Sequence, residues 1–319
     1  MSMLSRVAEH IYWMARYIER AENTARLINV TTNLQLDLPR AVRPGWAPSI
    51  AITGSADVYQ EHYEDYEERT VIKFLLADTN NPGCILCSLN AARENARTIR
   101  DIIPREVWEQ VNELFMGAKN QVQAGLSQRR RYDYLKSIIL GAQQVTGMLA
   151  GTMTHDFGYD FLRMGRNLER ADMTTRIIDV RSANLLRQQA DVLQPFESIQ
   201  WMSVLKSLTA YQMYRRQMQT SVRRAAVLRF LLQNAQFPRS FYHCLSEVEA
   251  CMRNLPRRDL PLRTLTQLQR VVSELDAEAM SSDELHQVVD DLQLGLANLH
   301  DQIRNTYFAV QETEAATGT

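Results

Sequence analysis

One helical segment is written twice in this chain. MARYIERAENTAR at residues 14–26 returns as MGRNLERADMTTR at 164–176. Aligning 14–30 with 164–180 leaves nine identities in 17 positions: Met, Arg, Glu, Arg, Ala, Thr, Arg, Ile and Val. A second pair follows in the same order, FLLADTNNPG at 74–83 and FLLQNAQFPR at 230–239, with Phe-Leu-Leu and then Pro at matching places. The offsets are 150 and 156, which implies an internal duplication with halves near 1–150 and 151–319. Two copies at so long a period do not make a solenoid. The simpler arrangement is one domain over 1–319, two helical halves sharing a core about a pseudo-twofold axis.

Apolar residues recur at three- and four-residue spacing almost throughout, and no segment alternates like a strand. The pattern predicts an all-α fold, a large bundle of about ten helices. They run over 5–36, 55–77, 83–101, 104–125, 131–150, 156–190, 196–214, 216–234, 238–253, 260–276 and 281–311. Pro104 with Glu106, Pro195 with Glu197, and Ser281-Ser282-Asp283-Glu284 carry first-turn signals. Residues 38–53 and 254–262 read as proline-containing loops, the first a long ordered or semi-ordered loop near a functional surface. The small, polar tail after Gln311 reads as frayed.

On a helical wheel Ile11, Met14, Ile18, Ala21, Ala25 and Ile28 form one stripe, and Arg16, Glu19, Arg20, Asn23 and Arg26 gather opposite. The second copy repeats the stripe with Phe161, Met164, Leu168, Ala171 and Ile178. It repeats the charges with Arg166, Glu169, Arg170 and Arg176, and keeps an acid at Glu22 and Asp172. A solvated face needs charge but no particular residues. The copies differ at Tyr17 against Asn167 yet agree on the arginines and the glutamate, so these side chains are expected to meet fixed partners. Glu19 and Glu169 are expected to be buried, each held by an arginine of its own helix, such as Arg16 at i−3, or of the other copy. Three arginines to one glutamate per copy leave spare donors suited to a carboxylate or phosphate. A purely structural ion-pair network is the competing reading.

These residues resemble the alpha-E family, a bacterial all-helical family with a Glu-Arg motif. Glu19-Arg20 and Glu169-Arg170 match that motif. ARENARTIRDIIPREVWEQVNEL at 92–114 resembles its Arg-Glu-Asn-x-Arg segment, which adds Arg93, Glu94 and Arg97 to the candidate residues. LSEVEACMRNL at 245–255 lacks that segment, so a site there would be one-sided. The resemblance implies a context of circularly permuted ATP-grasp proteins and transglutaminase-like peptidases. It implies no activity for the module itself.

Other constellations favour plainer readings. Cys84-x-x-Cys87 has no thioredoxin-like setting, and Cys244 and Cys251 are badly spaced to complete a zinc site, so no metal is expected. There is no GxxxxGK[ST] or GxGxxG loop, and no cofactor is expected. His155-Asp156 is placed to cap the second Glu-Arg helix. Tyr59, Tyr63 and Tyr66 read as a packing face. Arg129-Arg130-Arg131, Arg215-Arg216 and Arg223-Arg224 are dispersed in a chain of net charge −1, which speaks against nucleic acid. Charge interrupts the N-terminal segment, and no apolar run approaches the ~18 residues of a membrane span. With four cysteines, a reducing cytoplasmic compartment is the expectation.

The function read from these features is a helical partner or accessory protein of an ATP-grasp-type amide or peptide ligase, with a transglutaminase-like protein as a second partner. Its Glu-Arg faces form a structural network or receive an anionic substrate. Two alternatives stay open: a stand-alone enzyme of amide or phosphate chemistry using Glu19 or Glu169 beside arginines, and a nucleic-acid-binding helical protein.

Overall fold

The computed structural model describes residues 5–40, 43–187, 196–219 and 221–309, without the side chains of 181–187. Among the described residues there are fifteen α-helices and no strand. The first half carries α1 (Ser5–Asp37), α2 (Ala47–Ile52), α3 (Ala56–Gln60), α4 (Glu68–Ala77), α5 (Ile85–Thr98), α6 (Arg105–Asn120), α7 (Val122–Leu126) and α8 (Arg131–Thr152). The second carries α9 (Phe157–Arg187), α10 (Glu197–Ser207), α11 (Tyr211–Met218), α12 (Arg224–Gln233), α13 (Phe241–Arg253), α14 (Asp259–Ser273) and α15 (Ser282–Ile303), followed by a π-helical turn, Arg304–Phe308.

Several local features recur between the two parts of the chain, among them the caps. Cys84 and Ser240 each end a loop and accept a hydrogen bond from the backbone two residues into α5 and α13. Buried Tyr59 meets Phe74 edge-on at 85°, and buried Tyr214 meets Phe230 at 85°. After α2 the amides of Gly54 and Ser55 bond back to Ala51 and Ile50. After α10 those of Thr209 and Ala210 bond back to Lys206 and Leu205 in the same way. Gly141 of α8 is placed against Leu114, and Gly295 of α15 against Leu268.

The helix count exceeds ten because several expected helices are broken. The span 55–77 divides at an acid-rich stretch, Glu61 to Glu67, where like charges one turn apart oppose a helix. The Tyr59 hydroxyl stitches the break by donating to the Asp65 carbonyl, and the rings of Tyr63 and Tyr66 stack on either side of Tyr59. The span 104–125 breaks at Gln121, and 196–214 at Leu208 to Ala210. The span 216–234 turns through Gln219 at φ 50° and resumes only at Arg224.

Loop 38–53 is a correction of a different kind, because its second half is helix α2. Pro48 sits in the first turn, where a missing N–H leaves no bond unmade. Trp46, Ile50 and Ile52 are buried, and Ser49 meets Thr31 hydroxyl to hydroxyl at 3.1 Å. Likewise α14 begins at Asp259, inside the expected loop 254–262, with Pro261 in its first turn. Arg105, Glu197 and Ser282 begin helices where their signals lie, and Ser281 and Glu284 complete a capping box. Pro195 and the tail beyond Gln311 fall outside the described residues.

Helices α1 and α9 form the centre. Both are long, and both pack on each other, α1 also on α5 and α8, and α9 on α13 and α15. The predicted stripes are buried on both. The helices approach so closely that a Cβ added at Gly165 would lie 2.3 Å from the backbone oxygen of Tyr12. Backbone cannot yield as a side-chain tip can. Gly165→Ala is therefore expected to destabilise the chain by at least ~1–3 kcal/mol in urea denaturation. Gly147→Ala, where a Cβ meets nothing within 4 Å, is expected to be neutral or stabilising by up to ~1 kcal/mol.

Candidate functional site: the crossed Glu-Arg network

The charged faces of α1 and α9 point at each other. Glu169 is 2% exposed and is held by the other helix. Arg16 Nε donates to it at 2.8 Å, while Arg20 donates from Nε at 2.6 Å and from Nη2 at 3.0 Å, a forked contact. Glu19, also 2% exposed, lies 3.0 Å from Arg170 Nε and accepts from Arg239 Nη1 at 2.7 Å. The Arg170 N–H is not aimed along that line, so the contact is an ion pair without an aligned hydrogen bond. Each Glu-Arg dipeptide thus gives its carboxylate to the opposite helix and takes the opposite carboxylate with its arginine.

Same-helix pairing of Glu19 with Arg16 does not occur, because Arg16 is spent on Glu169. Arg26 turns to Glu22 with Nε at 2.9 Å and Nη2 at 2.7 Å, and Arg176 pairs with Asp172 at 2.8 Å. Burial by itself would raise both glutamates. The guanidiniums of Arg170 and Arg239 outweigh it at Glu19, and those of Arg20 and Arg16 at Glu169, so each carboxyl is brought down to about 2. A chain of contacts continues outward on one side. Arg16 Nη1 donates to the Tyr12 hydroxyl, which meets His300 Nδ1 at 2.8 Å. Burial and the nearby Arg16 hold His300 down at about 4, so its ring is neutral at neutral pH.

The two sides of the network are unequal. Arg166, in the position of Arg16, has a buried Nε with no hydrogen-bond partner. Burial and the neighbouring Arg170 lower its basicity. Arg239, which precedes α13 and was not among the sequence candidates, takes the carboxylate instead. It donates to Glu19, to Asn23 Oδ1 at 2.7 Å and to Glu22 at 2.8 Å. The signal was present in the repeat as a departure: Arg239 stands opposite Gly83. Arg26, Arg170 and Arg239 face Glu19 and Glu22, a surplus of one positive charge.

That surplus borders a cleft of about 260 Å³ lined by Glu22, Arg26, Gln143, Thr146, Arg170, Leu208, Thr209, Phe237, Pro238 and Arg239. Thr209 holds φ at 55°, a left-handed conformation costing roughly 1–3 kcal/mol for a residue other than glycine. A larger cleft of about 340 Å³ beside the C-terminal part of α1 carries one Asp and one Lys and no arginine, so it lacks this charge.

A family described as a predicted alpha-helical domain with a conserved ER motif matches residues 3–308. The chain belongs to the Alpha-E family. Uncharacterised proteins of Mycobacterium bovis and of Mycobacterium tuberculosis (strain CDC 1551) are each 25% identical to it over 337 aligned positions, covering 98% of this chain. The chain spans only 37% of the length of these relatives. No solved structure matches. The Glu-Arg of the Alpha-E description fits Glu19-Arg20 and Glu169-Arg170, the four residues of the crossed exchange.

The third motif of this Alpha-E chain lies apart. Arg93 donates to Asn112 at 2.7 Å and to Glu94, Arg97 donates to Glu94, and the Arg93 guanidinium lies over the rings of Trp108 and Phe115. These contacts clamp α5 to α6, and none among the described residues joins them to the network. The arginine clusters also separate. Arg131 is buried and bonds Glu68 and the Gly125 carbonyl, Arg224 reaches the carbonyls of Met280 and Ser281, and Arg129, Arg130, Arg215, Arg216 and Arg223 are exposed. Burial raises the thiols of Cys84, Cys244 and Cys251, the latter two to about 12, and makes them poor nucleophiles. Asp156 caps α9 by accepting from the amides of Gly158 and Tyr159. Among the described residues, Asp179, His286 and Asp290 form the one trio whose ligand-type atoms lie within 4.8 Å of each other. No helix is long and apolar enough to cross a membrane.

Glu19→Ala and Glu169→Ala leave buried guanidiniums uncompensated and are each expected to cost ~3–5 kcal/mol in denaturant unfolding. Glu94→Ala, at a half-exposed pair, is expected to cost under ~1 kcal/mol. Acid should act through the same carboxyls. The unfolded chain binds their protons near 4.5 and the native chain only near 2, so their contribution is complete above about 4.5 and lost between those values as pH falls. Glu169→Gln, which cannot titrate, should flatten the pH dependence of the melting temperature below about 4.5. An unchanged acid slope would reject the assignment.

Proposed function

We propose that this Alpha-E chain is the helical partner of an ATP-grasp-type amide or peptide ligase, and that the Arg239 cleft receives an anionic group of the substrate. The observation that carries the anion reading is the surplus of guanidinium at a cleft beside buried carboxylates. Fixed, partly desolvated arginines bind carboxylate or phosphate without first being ordered. The ligase partnership rests on the context that the family resemblance implies, together with the lack of any nucleotide loop in this sequence. A transglutaminase-like protein is the second expected partner, and a cytoplasmic location follows from the same reading.

The alternative, in which Glu19 or Glu169 works as an acid-base group, meets a physical objection. A carboxyl held at about 2 and bound to two arginines has no proton to give at neutral pH and little basicity. Such groups serve better as fixed counter-charges that orient the guanidiniums. Dispersed arginines, one of them buried in a structural contact, likewise favour a protein partner over nucleic acid.

Affinity purification of the tagged chain from its native host tests the partnership. An ATP-grasp protein in stoichiometric yield, with no amide-forming turnover by the purified chain alone, is the expected result. Turnover without any partner would replace this reading with the enzyme reading, and RNA retained in a strongly salt-dependent way would replace it with the nucleic-acid reading.

A further inference from the structure

We propose that the Arg239 cleft is a binding site for the carboxylate of an amino-acid-like or short peptide ligand, and that it occurs once per chain although the Glu-Arg scaffold is written twice. The proposal deepens the anionic-substrate reading above and rests on it.

The two Glu-Arg segments are alike, but the residues around the cleft are not. Among the cleft residues that differ from their counterparts in the repeat register, three bear on binding. Arg239 stands where the first half has Gly83. Thr209 stands where the first half has Gly54, at the same left-handed position of the same helix-ending turn, φ 55° against 66°. Gln143 stands where the second half has Ala297, in the register that pairs Gly141 with Gly295. At the first-half position the Arg176 guanidinium lies directly on Gly54, where a Cβ would meet Nη1 at 2.5 Å. At the second-half position Thr209 carries a side chain instead, and Arg26, the counterpart of Arg176, bonds Glu22 as Arg176 bonds Asp172. A threonine kept at a position that glycine fills without strain, on the lip of a cleft, argues for use of its hydroxyl or its bulk there.

Charge and shape set the ligand class. The lining holds Arg26, Arg170 and Arg239 against Glu22, and Glu19 backs two of these arginines. The sum is one positive charge, which one carboxylate neutralises and a phosphate dianion would overshoot. Leu208, Phe237 and Pro238 offer an apolar wall, while Gln143, Thr146 and Thr209 offer amide and hydroxyl groups. That combination suits a carboxylate attached to a small chain bearing an amide. A bare inorganic anion would leave the apolar wall unused.

Isothermal titration of the full chain with a panel of N-acetyl amino acids (acidic, basic, polar and apolar) and N-acetyl-dialanine tests this. Their primary amides and inorganic phosphate serve as comparisons. At least one free acid should saturate at one per chain, with its amide and phosphate at least tenfold weaker. Gln143→Ala and Thr209→Gly spare the ion pairs and should fold with wild-type cooperativity, yet weaken that acid several-fold. Arg239→Gly should abolish binding, and Arg26→Gln, which leaves Arg239 in place, covers the case in which that variant does not fold. Two sites per chain, equal binding of acid and amide, tighter binding of phosphate, or binding by no probe would each overturn the proposal. Co-purification of a ligase with both Gln143→Ala and Thr209→Gly would leave the partnership standing, and its absence with the wild-type chain, beside carboxylate binding by that chain, would reject the partnership alone.

Discussion

Two buried carboxylates, exchanged between two helices, are the constraint on which the rest of this fold depends. Removing Glu19 and Glu169 from water is costly, and each is tolerable only because guanidiniums from elsewhere in the fold meet it. Those guanidiniums are themselves largely buried and need the carboxylates in return. Neither α1 nor α9 can therefore be packed without the other in register, and their separation is fixed by the contact of Gly165 with the Tyr12 backbone. A hydrophobic interface of the same area would hold the helices as well, but it would tolerate sliding. The ionic exchange does not, since a shift of one turn would leave four or more charges buried and unpaired.

Much of this was legible in the sequence, for identifiable reasons. The stripe from Ile11 to Ile28 fixed which face of α1 is apolar, and the agreement of the two copies on Arg and Glu marked those side chains as partnered. Periodicity also named most helix starts, because Ser281 and Pro104 act locally. A helical wheel shows which residues share a face but not what covers it, so the exchange between Arg16 and Glu169 in place of Arg16 and Glu19 was out of reach. Arg239 was missed because a search for identities passes over the position where the copies differ. Helix α2 was missed because Pro39, Pro44 and Pro48 were read as helix breakers, whereas a first-turn proline is compatible with helix.

The network also constrains function. Its carboxylates are too acidic and too well bonded to move protons, so any chemistry at this site must come from orientation and charge. One side is closed on itself, with Glu169 satisfied by Arg16 and Arg20 and linked through Tyr12 to a neutral His300. The other side is left with Arg166 unpaired at Nε and Arg239 reaching in from a loop, beside a cleft. The two sides of the exchange therefore differ: one has its arginines paired, and the other keeps an unpartnered Nε next to a cleft. The third motif, Arg93, Glu94 and Arg97, belongs to the α5–α6 clamp and plays no part in this division.

The crossed exchange is tested most directly by double-mutant cycles on stability. The cycle Arg20→Met with Glu169→Gln probes the pair between helices, and Arg16→Met with Glu19→Gln probes the pair that helix geometry alone would suggest. A coupling of ~1.5–3 kcal/mol is expected for the first cycle and under ~0.5 kcal/mol for the second. A small coupling between Arg20 and Glu169, with a large one between Arg16 and Glu19, would show that the Glu-Arg motif pairs within its own helix and would contradict the crossed exchange.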